Sequence, residues 1–437
     1  MSRSVAFKTL GCRLNQYESD ALAAEFTNGG YTVTDFESPA DVYVINTCTV
    51  TSQSDQKSRQ AINKASRSGK DPLVVVTGCM ARHHRDTLEA QSFVTYVVEN
   101  EQKSNIFPLV EAHYHKEILH PVHQTTDMFG YRAVDKSSRT RSFIKIQDGC
   151  DNLCTFCIIP FVRGLAASRP MNDILDNVRA VLAAGYKELV ITGVNIGRYE
   201  HAEQGLDTLL ARIVALPGDF RVRISSIEPD GFTDAFFNIL EHEKVMPHLH
   251  LCLQSGSERV LRRMRRMYTA DQFLRMVERI RGRMPLFNLS TDIMVGFPGE
   301  TDEDFESTRN VCRDVGFSHI HTFKYSARTG TRAERMESQV PDALKKHRSA
   351  EVRALAESLK TAYMDRWNGR PEKVLIERIR DGRATGYGEH YLPVEFDAEG
   401  VRRNEIIPVT ITGVSSSGAD ALLAKREKIV LLSPAAG

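Results

Sequence analysis

The chain has 437 residues, too long for one ordinary core, so two or three domains are expected. Hydrophobic residues make up 41%, as in globular proteins, and no apolar run approaches the length of a membrane span. The net charge of +1 neither demands nor excludes a nucleic-acid partner, so local clusters of Lys and Arg matter more. MSRSVAFKTLGC lacks the apolar core of a signal peptide, and a cytoplasmic protein is expected. In that reducing setting the eight cysteines (12, 48, 79, 150, 154, 157, 252 and 312) are not expected to form structural disulfides, and clustered ones are expected to bind metal or do chemistry.

From residue 4 to about 112 the pattern alternates. SVAFKTL, DVYVINT, PLVVVTG and VTYVVEN read as strands, with helices from Tyr17 to Phe26, from about Gln53 to Arg67 and from about Ala81. Apolar strands alternating with helices imply βαβ units and a parallel sheet. Cys12, Cys48 and Cys79 each follow the carboxyl end of a strand, where open α/β sheets bind ligands, so the three are expected to meet at one sheet edge. Residues 113–142 show no clear period, and His113, His115, His120 and His123 read as solvated linker histidines. The basic run KSSRTR (136–141) suits a domain linker.

A second alternating series covers about 143–330. Its strands are FIKIQ (143–147), ELVITGV (188–194), RVRISS (221–226), HLHLCL (248–253), LSTDIMV (289–295) and SHIHTFKY (318–325). Six βα steps predict an open partial barrel with chemistry at the carboxyl ends of its strands. A long helix is predicted over about Pro341 to Asn368. Beyond it KVLIERI, YLPVEF, IIPVTITGV, ALLAKRE and KIVLL read as a small all-β barrel. The expected class is α/β, with domains at 1–113, 136–366 and 369–433.

DGCDNLCTFC (148–157) places Cys150, Cys154 and Cys157 in a C-x3-C-x2-C spacing just after a strand. Three thiolates do not complete a tetrahedral structural zinc site, although Cys252 could reach them in space, so zinc stays open. A four-iron cluster normally takes four Cys, and three would leave one iron open to a small molecule.

With Phe156 before the last Cys, this spacing resembles the signature of radical S-adenosylmethionine (SAM) enzymes. In that superfamily the open iron is chelated by the cofactor's methionine part, and reductive cleavage gives a 5′-deoxyadenosyl radical. The whole chain resembles the methylthiotransferases. The matching motifs are TLGCRLNQYES, VINTCTVT, VTGCMA, DGCDNLCTFCIIPFVRG, ELVITGVNIG, RISSIEPD, HLHLCLQSGSERVLRRM and STDIMVGFPGET, and a TRAM-like barrel follows. The resemblance implies 4Fe-4S clusters on both cysteine sets and two equivalents of SAM, one giving methyl and one the radical. TLGCRLNQYES and ITGVNIG resemble the branch that modifies N6-threonylcarbamoyladenosine beside the tRNA anticodon. Sister branches act on isopentenyladenosine or on a ribosomal-protein aspartate. An electron donor protein and a sulfur source are implied partners, and no membrane is.

Ser226, Glu228, Gln254 and Gly296 end predicted strands and are candidates, with Phe156, for cofactor contact. Many radical SAM enzymes carry Gly-Gly-Glu after the second strand, where this chain has Thr192-Gly193-Val194. The run RVLRRMRRM (259–267) makes Arg262, Arg263 and Arg266 candidates for binding RNA. Cys252 and Cys312 are expected in the core.

Overall fold

The computed structural model describes residues 2–69, 71–117, 127–130, 140–414 and 421–426. His120, His123, most of KSSRTR and the KIVLL strand lie outside them. The molecule is α/β, with a parallel sheet, a six-step parallel series and a closed β barrel in chain order.

The first sheet pairs five strands in parallel, in the order Thr32–Thr34, Ser4–Thr9, Val42–Thr47, Leu73–Gly78, Tyr96–Val98. Val42–Thr47 and Leu73–Gly78 are buried at every position, as strands covered on both faces must be. Thr32–Thr34 was not expected, because its partly exposed residues carry no burial pattern. The first helix, Arg13–Asn28, starts before the expected Tyr17 because its opening turns bury polar side chains, Asn15 and Glu18 among them. The strand order reverses between Ser4–Thr9 and Val42–Thr47, which makes a ligand crevice at that end of the sheet.

The second series runs Arg141–Lys145, Glu188–Thr192, Arg221–Ile224 with its continuation Ser226–Ile227, His248–Leu251, Asn288–Val295 and His319–Lys324, with sequential neighbours side by side. Leu189, Ile191, Val222, Ile224, Leu249 and Leu251 pack against the helices in one core. The alternate positions, Glu188, Arg223, His250 and Asp292 among them, face the barrel interior and make it polar. The N-terminal sheet domain touches both edges of this barrel. Tyr17 and Ala21 pack on Phe143 at the first strand. Beyond the last strand, the Arg328 guanidinium donates to Thr49 O at 3.0 Å and Ser52 Oγ at 2.8 Å.

The long helix is Asp342–Asp365. A closed barrel follows, built from Pro371–Arg380, Arg383–Tyr387, Pro393–Asp397, Leu422–Arg426 and Ile406–Val414 around Trp367, Val374 and Phe396. Its 387–391 connection covers the amino ends of the parallel strands. Arg221 donates to Tyr387 O at 2.9 Å, and Arg223 to Gly388 O at 3.2 Å and Glu389 O at 3.1 Å. No described helix is long and apolar enough to cross a membrane.

Candidate metal centre

The loop carrying Cys150, Cys154 and Cys157 leaves the carboxyl end of the first barrel strand. Gly149 sits at φ 66°, and a Cβ there would lie 1.9 Å from Leu165 O, so only glycine fits the turn. Cys150 N–H donates to Gly164 O at 3.1 Å and Cys157 N–H to Cys154 O at 3.0 Å. Thr155 is tied to Met264 O and Arg263 O, and Phe156 packs with Val260, Met264, Phe297 and Tyr325. Phe156 thus anchors the loop through its ring.

Each sulfur has a donor aimed at it: Arg266 Nη1 at 3.2 Å from Cys154 Sγ, Ile159 N at 3.5 Å from Cys157 Sγ, and Asn195 Nδ2 at 4.0 Å from Cys150 Sγ. Such donors favour the thiolate. Burial still pushes the Cys157 thiol up to about 12, and the neighbouring sulfurs add to that rise. A bound cation supplies the charge that deprotonates such a set.

Cys12, Cys48 and Cys79 lie at the crevice of the first sheet, and their thiols act on one another electrostatically. Burial, with help from Cys12 and Cys48, raises Cys79 to about 11. Gly78, at φ 95°, has no room for a Cβ, which would meet Thr47 O at 2.3 Å, so Cys79 can start its helix directly beside the neighbouring strand. Cys79 packs with Ile158 and Val162, the segment just after Cys157, so the sheet set touches the stretch that follows the loop set across the domain contact.

A buried ionic network joins the same two regions. The Arg163 guanidinium pairs with Asp148 at 2.9 Å and Glu18 at 3.1 Å and donates to Asn15 Oδ1 at 2.5 Å. Lys145 pairs with Asp148 at 2.6 Å and Glu18 at 3.3 Å, and Lys103 also pairs with Glu18. Burial would raise the Glu18 carboxyl, but Arg163, Lys103 and Lys145 hold it well below the usual range. Three cations against two carboxylates leave a positive excess beside Cys12 and Cys79, both of which act on Arg163. Sequence reading missed Arg163; only its place six residues after Cys157 hinted at a role.

The other expected residues divide. Glu228 pairs with Arg266 beside Cys154. Gln254 holds φ 64°, a left-handed conformation unusual outside glycine, where the chain leaves its strand. Ser226 is exposed at a strand end.

Gly296, at φ 72°, is closely packed. The Lys345 side chain fills the space a Cβ would need, at 2.3 Å, and Glu300 Oε1 accepts the Gly296 N–H at 2.9 Å. Arg266 is corrected: its side chain is 4% exposed and faces Cys154 and Glu228, so it lies off any open RNA surface. Arg262 is exposed and Arg263 half-buried. Cys312 is in the core, but Cys252 is half-buried on the inward face, grouped with His250 and Asp292.

Residues 4–99 match the uncharacterized protein family UPF0004, and residues 144–312 match the radical SAM superfamily. The chain is 37% identical over 425 residues to the threonylcarbamoyladenosine tRNA methylthiotransferase MtaB of Bacillus subtilis, with 93% of each chain covered. This chain belongs to the radical SAM methylthiotransferase family. It is also 36% identical to the proteins of that name from Chlamydia pneumoniae (94% of this chain, 95% of that one) and Thermotoga maritima (95% and 96%). Among solved structures, the radical SAM methyltransferase TsrM from Kitasatospora setae superposes with a TM-score of 0.55 at 16% identity, over 76% of this chain and 77% of that one, a likeness of fold.

As a radical SAM methylthiotransferase the protein is a transferase, and its radical SAM domain implies a 4Fe-4S cluster and SAM. The loop set fits such a cluster, with three convergent thiols and a donor on each. The turn that stands where Gly-Gly-Glu is missing is held by a side chain of the preceding strand. Val194 N–H and Asn195 N–H both donate to Gln147 Oε1, at 3.0 and 2.8 Å. That turn leaves Asn195 Oδ1 buried with no hydrogen-bond partner among the described residues, next to Cys150. Asn195 was also missed from sequence, although it sits within ITGVNIG.

Proposed function

We propose that this methylthiotransferase converts N6-threonylcarbamoyladenosine beside the tRNA anticodon to its 2-methylthio derivative, with two equivalents of SAM and a 4Fe-4S cluster on each cysteine set. The observation that carries this reading is a chain with two three-thiol sets, Cys79 of one packed on the segment after the other, that resembles MtaB proteins over nearly its full length. Each set leaves one iron without a protein ligand, one for SAM and one for sulfur. The bound cofactor would supply a radical able to take hydrogen from an unactivated carbon.

Within the reading, Cys150, Cys154 and Cys157 hold the radical SAM cluster, and Cys12, Cys48 and Cys79 the auxiliary one. The Asn195 Oδ1 accepts from the cofactor's amino group, and Glu228, Gln254 and Ser226 line the same rim. Arg262 and Arg263 contact tRNA phosphates, and exposed Leu153, Phe161, Leu165 and Met267 near the loop offer apolar surface for unstacked bases. The domains divide at 1–113, 136–366 and 369–433, and an electron donor protein and a sulfur source complete the cycle. Nucleoside mass spectrometry of tRNA from a deletion strain tests the reading. Loss of the 2-methylthio form, restored by this chain, is expected; unchanged tRNA contradicts it.

A further inference from the structure

We infer that the floor of the barrel is a carboxylate-binding pocket, in which the Arg13 guanidinium holds the carboxylate of an amino-acid group attached to the substrate base. The inference rests on the threonylcarbamoyladenosine reading and narrows it to a recognition residue.

Arg13 follows Cys12 directly, so one helix start presents both a thiol of the sheet set and this guanidinium. Its Nη1 is buried with no hydrogen-bond partner among the described residues. Its Nη2 makes a long contact, 3.5 Å to Tyr391 Oη, and the guanidinium lies 5.9 Å from the Tyr391 ring. That ring packs on His248 at 4.7 Å, inside the barrel. Arg13 is also among the charges that act on His248 and on His321 of the last strand.

The surroundings are cationic. Arg141 and Arg223 lie over the same Tyr391 ring at 5.5 and 4.6 Å. Their counter-charges are accounted for: Glu188 pairs with Arg221 and Arg223, and Glu377 with Arg141 at 2.6 Å. Arg13 has no carboxylate partner among the described residues. A buried donor left unpaired is costly, and a guanidinium fork matches a carboxylate in shape and charge. A threonylcarbamoyl group carries such a carboxylate, and an isopentenyl group carries no charge. The pocket thus separates the two substrates by an ion pair as well as by size.

The test uses the cluster-loaded full chain and three anticodon stem-loop RNAs, bearing the threonylcarbamoyl acid, its carboxamide, or plain adenosine. Wild type should bind the acid about 10- to 100-fold more tightly than the carboxamide, the range for a hydrogen bond to a charged group. Arg13→Gln should bring the two to near parity without changing affinity for plain adenosine, and Arg13→Lys should fall between. A full acid preference in Arg13→Gln overturns the pocket. So does an equal loss on all three RNAs, which would mark a phosphate contact or a damaged fold. Wild type that methylthiolates the acid RNA yet shows no acid preference overturns the pocket alone. Wild type that leaves that RNA unmodified overturns the substrate reading, and the pocket with it.

Discussion

The two cysteine sets solve one problem in opposite ways. The loop set gathers three thiols within eight residues and supports them with its own backbone, one anchored ring and Arg266. The sheet set draws Cys12, Cys48 and Cys79 from three strand ends, and a cation that acts on it, Arg163, comes from the radical SAM domain. The loop set therefore depends on local geometry, and the sheet set on the whole N-terminal sheet and its contact with the barrel.

The largest expected effect separates the sets by chemistry. Replacing Cys150, Cys154 and Cys157 by Ala should abolish both 5′-deoxyadenosine formation and methylthiolation. Replacing Cys12, Cys48 and Cys79 should abolish methylthiolation only. Chromatographic assay of 5′-deoxyadenosine decides this, and loss of both activities in each variant would erase the distinction.

Next comes the dependence on the domain contact. Glu18→Ala leaves Arg163, Lys103 and Lys145 short of a buried partner and should cost about 3–5 kcal/mol in denaturant unfolding. A cost below about 1 kcal/mol, typical of exposed pairs, would show that the sheet set stands alone.

A third prediction divides the arginine run. Arg266→Ala removes a donor from the Cys154 sulfur and should lower 5′-deoxyadenosine formation by about 10-fold or more, as outer partners of metal ligands do. Arg262→Ala should leave that step alone and reduce the salt dependence of tRNA binding by about one ion. Equal effects from both would return Arg266 to the RNA face.

The smallest effect concerns the helix that follows Cys12. Burial raises the Glu25 carboxyl to about 7 from an ordinary 4.5. Its stabilising contribution is therefore complete below pH 4.5 and lost as pH rises through about 7. Glu25→Gln should raise Tm at pH 8 and change little at pH 4. The opposite pH order in a thermal melt would contradict the shift.

Most of the architecture was readable because apolar runs and turns alternate so regularly. The strand-end placement of Cys12, Cys48 and Cys79 was legible for the same reason. Long-range geometry was not. RVLRRMRRM reads as one helix face, but the helix ends at Arg263 and Arg265 takes φ 58°, which turns Arg266 inward. The sequence around Gly296 does not show that Lys345, from a helix far along the chain, packs against it. Cys252 sits between Leu251 and Leu253, both core residues, yet strand alternation points it the other way. Asn195 and Arg163 are ordinary polar residues in sequence, and only an unpaired oxygen and a buried network single them out.

Iron and sulfide analysis with electron paramagnetic resonance on anaerobically reconstituted protein tests the central claim most directly. Wild type should hold about eight irons per chain, and each triple Cys→Ala variant about four, with the two remaining signals distinct. A wild-type chain with about four irons, or a sheet-set variant that loses none, would contradict a cluster on Cys12, Cys48 and Cys79.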